Sequence, residues 1–223
     1  IVEAVEEGRH VFDNILKFIV YLLSCNGAEI FLMLICTIAN IDVPLSVMMI
    51  LWANIIADIP PAMALGVEPN EKDLMQRNPR NPKMGVITKV TWMVIFLNSM
   101  IIAALALASY CISLYVLKFP LQEARSMTFT TLTTLQLVHS FNARSVHQSI
   151  FTTGITSNRW MIGAFIVAFS LMIIGIYAPG ISTWLELTFV GWQSWVMTIV
   201  GVVFLIVFVE IEKFVVRRMT GKF

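Results

Sequence analysis

Residues 48–67 read MMILWANIIADIPPAMALGV, and this stretch decides how the rest of the chain is read. The hydrocarbon core of a bilayer takes about 20 apolar residues of helix, and the run is that long. Yet it holds Asn54, Asp58, Pro60 and Pro61. A charged side chain at mid-bilayer costs at least ~2.5–3.5 kcal/mol on insertion scales, so Asp58 requires a compensating partner. Asn54 and Asp58 stand four residues apart and share one helix face. A proline inside a helix donates no hydrogen bond and clashes with the carbonyl four residues earlier. The proline pair is therefore expected to free the carbonyls of Ile56 and Ala57 beside Asp58. Irregular backbone at membrane depth is tolerated where it lines a polar cavity or an ion site. Carboxylate, amide and carbonyl oxygens together form a hard-cation ligand set, with no soft ligand among them.

The preceding apolar run, residues 18–38, reads FIVYLLSCNGAEIFLMLICTI. Asn26 and Glu29 lie near its middle, three apart and on one face. Helix-to-helix hydrogen bonding alone explains one such residue better than four on adjacent helices. A weaker candidate is Gln136, a neutral oxygen within the threonine-rich run 127–142. The threonines Thr128, Thr130, Thr131, Thr133 and Thr134 are read as interhelical packing. His139 and His147, at or beyond the end of that run, are read as interfacial hydrogen-bonding groups.

Composition agrees with a membrane reading. Of 223 residues, 58% are hydrophobic and 13% charged, with a mean hydropathy of +0.81. Soluble domains run at roughly 45–50% apolar and about 25% charged, so too little charge is present to cover a soluble surface. A soluble enzyme, a disordered tail and a nucleic-acid binder are excluded. The net charge of +1 adds no basic field for a polyanion. Cys25, Cys36 and Cys111 sit in apolar runs without metal-ligand spacing and read as small buried hydrophobes. Thirteen scattered methionines read as adaptable packing. Glu3, Glu6, Glu7 and Arg9 stand where a secretory leader would need apolar residues.

Six candidate spans follow: 16–38, 44–66, 90–117, 127–142, 160–178 and 194–213. The fourth, short and polar, is expected to lean on its neighbours. Positive residues collect on the side of bilayer nearest the cytosol. With six spans, 13 of the 15 Lys and Arg residues share the side of both termini; only Lys118 and Arg125 lie opposite. The expected architecture is all-α: a polytopic membrane protein, a bundle of six transmembrane helices with both termini cytosolic. It forms a single membrane domain over 1–223, with a cytosolic helical stalk at 1–15 and a cytosolic loop at 67–89. Gly8 tolerates a bend in the stalk. Trp160, Trp184, Trp192 and Trp195 fall near expected interfaces, where indole rings prefer to sit.

Nothing in the chain reads as ATP chemistry: there is no GxxxxGK[ST] loop and no aspartate in a DKTGT-like setting. The loop 67–89 is too short to fold alone, though long enough to dock against a domain. From the residues alone, two transport readings stay open. One is the membrane half of an ATP-driven cation pump. The other is a secondary cation antiporter or channel that uses the same acids without ATP.

Two multi-residue motifs, in order and at matching separation, resemble a known family. AVEEGRHVFDNILKFIVYLLSCNGAEI (4–30) resembles the approach to and first part of the fifth transmembrane helix of type II P-type cation ATPases. LWANIIADIPPAMALGVEPNEKDLMQRNPRNPK (51–83) resembles their sixth helix and following cytosolic loop, and QLVHSFNARSVHQSIF (136–151) extends the match. The resemblance implies the C-terminal six-helix segment of such a pump, calcium-pump-like or fungal sodium-pump-like. It implies cation ligation by Asn26 and Glu29 from the fifth helix and by Asn54 and Asp58 from the sixth. Ala57 stands where calcium pumps of the sarco/endoplasmic-reticulum kind carry a threonine, and Gln136 where they carry a glutamate. The first of two calcium sites therefore loses a hydroxyl and a carboxylate. Asn54 and Asp58, completed by fourth-helix groups outside this chain, fit the second site. The implied cargo is a small cation, calcium favoured, with manganese or sodium as alternatives. Implied partners are the cytosolic phosphorylation and nucleotide domains of the same parent chain, which hold magnesium and ATP, and the lipid bilayer of a plasma or internal membrane.

Overall fold

The computed structural model describes residues 2–69, 86–145 and 148–220. Residues 70–85, the greater part of the expected 67–89 loop, and His147 lie outside this range. Among the described residues the chain is helical throughout, with no strand. Helix α1 (Val2–Ile38) is followed by α2 (Val47–Ala53), a π-turn (Asn54–Asp58) and α3 (Ile59–Gly66), which together make the second membrane-length rod. Helix α4 (Lys89–Cys111) continues into a second π-turn (Ile112–Val116). Then come α5 (Leu121–Asn142), the short α6 (Ile150–Thr153), α7 (Arg159–Tyr177), the short α8 (Ile181–Trp184) and α9 (Trp192–Thr220). Four segments, 2–38, 47–66, 89–116 and 159–177, are long and apolar enough to cross a membrane. Helices α5 and α9 pack among them over comparable length.

The ends of these rods follow from their residues. The Ser46 hydroxyl accepts from Met49 N at the start of α2, and the Thr88 hydroxyl accepts from Thr91 N at the start of α4. The Asn158 side chain accepts from Trp160 N and Met161 N at the start of α7. Each satisfies donors that a helix start leaves unpaired. Helix α1 ends where Asn40 takes a positive φ of 54°, a conformation asparagine tolerates better than most residues. Pro60 and Pro61 occupy the first turn of α3, where no backbone donor is required.

Helix α1 has 37 residues, roughly 55 Å at 1.5 Å per residue, against about 30 Å of hydrocarbon. It runs unbroken through Gly8, the position that tolerates a bend. Helix α5 begins six residues before the expected span, and every residue from Ser126 to Leu137 is buried. That explains how so polar a helix is accommodated: its neighbours rather than lipid surround it. Thr131 is hydrogen-bonded to Ser109 of α4 at 3.0 Å and to Thr198 of α9 at 3.1 Å. Thr128, Thr130 and Thr134 each return to a carbonyl one turn back. The threonine run is packing, as expected. One apolar core, including Leu32, Met49, Ala103, Phe129, Met172 and Leu205, joins the six long elements. Trp160, Trp184 and Trp192 are exposed on the bundle surface, and Trp195 donates from Nε1 to the Tyr177 hydroxyl. Cys25 and Cys36 are buried and Cys111 half-buried, all unbridged.

The crossing of α1 over α4 depends on Gly27. A Cβ there would strike the Ser99 side chain, whose hydroxyl is engaged with the carbonyls of Ser24 and Ile95. Overpacking of this kind typically costs about 1–3 kcal/mol. Gly27→Ala is expected to lower the thermal midpoint of the detergent-solubilised protein. Gly8→Ala, where a Cβ meets nothing within 4 Å, should be neutral or mildly stabilising, because alanine is the better helix former. Equal midpoints for the two variants would refute the close-crossing role of Gly27.

Candidate cation site

The polar residues of the first two rods meet. Asn26 on α1 donates from Nδ2 to Asp58 Oδ2 at 3.1 Å and to the Leu22 carbonyl at 2.9 Å. Glu29, one turn further along α1 and 6% exposed, accepts from Gln136 Nε2 of α5 at 2.9 Å. Asn26 with Asp58 and Glu29 with Gln136 thus form two side-chain pairs drawn from α1, the π-turn and α5, with Asn54 at the other end of the π-turn from Asp58.

The π-turn is what aims the second rod into this group. A single wide turn inserted in an α-helix shifts side-chain direction locally and recurs at functional sites. Here it spans Asn54 to Asp58, both ends being candidate ligands, and the two prolines follow at once. The expected pair of free carbonyls is corrected at Ala57. Its oxygen accepts from the Tyr21 hydroxyl of α1, because a fully buried tyrosine needs a partner for its O–H. Tyr21 is the residue that sequence reasoning missed. Its only signal was a hydroxyl in an otherwise apolar stretch of helix.

Three oxygens in the group lack any protein partner: Asn54 Oδ1, Asp58 Oδ1 and Gln136 Oε1. Buried polar atoms are almost always paired, so three such orphans on the candidate residues are lone pairs available to a bound group. All are hard oxygens, the donor set of Ca²⁺, Mg²⁺, Mn²⁺ or an alkali cation. No cluster of three or more His, Cys, Asp or Glu side chains occurs among the described residues; the set is carboxylate mixed with amide. Asp58 is half-buried and opens into a groove of about 540 Å³ between α1 and α3, walled by Phe18, Leu22, Ile59, Ala62 and Met63.

His139 departs from its expected interfacial role. It is 2% exposed, its two ring nitrogens have no protein partner, and its ring stacks on Tyr21 with centroids 6.1 Å apart. It lies too far inside the helix packing to reach an interface.

The model of the cation transporting ATPase C-terminus matches residues 42–215, most of the chain. The chain belongs to this family. As a member it is an integral, multi-pass membrane protein, with helices α2 to α8 and most of α9 inside the match and α1, the bearer of Asn26 and Glu29, preceding it. It is 40% identical over 177 residues to the "Calcium-transporting ATPase" of Bacillus subtilis, which covers 79% of this chain and 20% of that protein. It is 36% identical over 195 residues to "Calcium-transporting ATPase 1" of Bacillus cereus, covering 80% and 22%. To the human "Calcium-transporting ATPase type 2C member 1" it is 35% identical over 185 residues, covering 80% and 19%. The chain thus spans about a fifth of the length of the curated relatives it matches.

Proposed function

We propose that this family member is the membrane transport module of an ATP-driven cation pump, with calcium as the favoured cargo and manganese or sodium as alternatives. The observation that carries the reading is the pairing of Asn26 with Asp58 and of Glu29 with Gln136, together with the three unpartnered oxygens on Asn54, Asp58 and Gln136. The calcium-transporting names of the relatives favour calcium. In this reading Asp58 and Asn54 ligate the cation, and groups outside this chain complete the shell across the groove into which Asp58 opens. Glu29 and Gln136 form the flank of the site on which the resemblance removes a carboxylate. The Ile56 carbonyl is retained as a weaker ligand and the Ala57 carbonyl as a Tyr21-bonded one.

The match covers only 20% of the Bacillus subtilis relative, which supports phosphorylation and nucleotide domains elsewhere in a longer parent, where magnesium and ATP act. The length of α1 and the exposure of its first turns suit a stalk reaching out of the bilayer toward such a domain, with both termini on the cytosolic side. Coupling then consists of moving α1 against the π-turn, since those two elements hold Asn26 and Asp58 together.

The test is ATP hydrolysis by the purified full-length parent across calcium, manganese, sodium and potassium. Stimulation at micromolar calcium or manganese is expected. Stimulation only at millimolar sodium or potassium overturns the cargo, and no stimulation by any of the four favours the antiporter. Glu29→Gln is expected to reduce apparent ion affinity less than Asp58→Asn, because Gln136 already replaces one carboxylate on that flank. Equal losses from the two changes would point instead to a shared or two-ion site.

A further inference from the structure

A second group of buried polar side chains lies apart from the candidate cation site, where α4, α5 and α9 meet. Asn98 donates from Nδ2 to Glu212 Oε2 at 2.9 Å, and Lys213 Nζ donates to the Asn142 carbonyl at 2.8 Å. Asn98, His139, Asn142 and Glu212 are all at most 7% exposed. Between them they carry six atoms with no protein partner: Asn98 Oδ1, Glu212 Oε1, both His139 ring nitrogens, and Asn142 Nδ2 and Oδ1. All four residues line one small cavity of about 20 Å³, which Val20 of α1 and Val209 of α9 help to close.

We propose that this cavity is a bound-water site bridging α4, α5 and α9. A water needs roughly 10–15 Å³ of such space and two to four polar partners, and both conditions are met. The wall offers donors and acceptors together. Asn142 Nδ2 and one imidazole N–H donate, while Asn98 Oδ1 and Glu212 Oε1 accept, and water satisfies both kinds. A bare cation would face the Lys213 ammonium and inward-pointing amide hydrogens; an anion would face the Glu212 carboxylate. The neutral, two-sided ligand fits. The site also fixes His139, the ring on which Tyr21 packs, and Tyr21 in turn holds the Ala57 carbonyl beside Asp58.

X-ray hydroxyl-radical labelling of the full-length parent in lipid nanodiscs tests this, because radicals form from water in place and mark residues touching it. Oxidation of His139 is expected several-fold above that of Phe129, equally buried in the apolar core, after correction for intrinsic reactivity. Val20→Ile puts a methylene into the cavity and is expected to bring His139 labelling down to the Phe129 level while Phe129 stays unchanged. Val209→Ile, filling from α9, serves if the first variant does not fold. Wild-type His139 labelled no more than Phe129 would overturn the proposal. So would labelling that persists in a correctly folded cavity-filled variant, since the radicals would then arrive by another route.

Discussion

Asp58→Asn in the full-length parent is expected to leave insertion and thermal stability close to normal while weakening apparent ion affinity by at least about 100-fold, the upper end for losing even a supporting residue around a metal. The shape argument is local. Asn26 Nδ2 donates to Asp58 Oδ2, and an asparagine at 58 retains a carbonyl oxygen able to accept that bond. What disappears is the negative charge and the unpartnered Oδ1 beside it, which is the donor a cation would use. The pair of measurements is an ATPase titration against calcium and manganese, together with the thermal midpoint of the purified protein. Wild-type affinity in a normally stable variant would exclude Asp58 as a ligand. Lost affinity with a collapsed midpoint would assign the residue to folding instead.

The second large effect concerns a buried ion pair at the end of the bundle. Glu68, just beyond α3, and Arg144, just beyond α5, are 3% and 1% exposed and lie 2.7 Å apart. Arg144 also donates to the carbonyls of Gly154 and Ile155 and to the Ser157 hydroxyl. The other Glu68 oxygen accepts from Asn158 Nδ2 at 2.7 Å, and the Glu68 carbonyl accepts from Asn14 of α1. His10 of α1 is hydrogen-bonded to that same carbonyl at 2.7 Å. One residue thus ties together α1, the end of α3, the connector after α5 and the start of α7. Removing one partner of such a pair leaves an uncompensated buried charge, at a typical cost of about 3–5 kcal/mol. Arg144→Met is therefore expected to lower the thermal midpoint severely. Adding Glu68→Gln should recover part of the loss, because the double variant buries no unpaired charge. A midpoint for Arg144→Met near wild type, or a double variant worse than the sum of the singles, would refute the clasp.

Much of the candidate site was legible because a membrane makes polar residues costly. Asn26, Glu29, Asn54 and Asp58 stand out in 18–38 and 48–67 by chemistry alone. Tyr21, His139 and the Asn98–Glu212 pair did not stand out. A tyrosine suits a helix near an interface, a histidine at a helix end suits solvent, and Glu212 sits in a stretch already rich in charge. Only the packing shows that all of them are buried. Helix α5 shows the converse. Its polarity made it look like a short and weak span, and its burial among α4, α7 and α9 accounts for both its length and its threonines.

Residue chemistry along the chain is enough to specify the class, the apolar rods and the acids that membrane insertion would not tolerate without a purpose. Helical spacing also placed Asn26 with Glu29, and Asn54 with Asp58, on common faces. The tertiary structure alone decided which faces meet. Gln136 reaches Glu29 across 107 residues of chain and Asn98 reaches Glu212 across 114. It also decided that the Ala57 carbonyl is taken by Tyr21. The physical reason is that a helix's periodicity is local, whereas the rotation and depth at which two helices dock are set by side-chain fit along their whole contact.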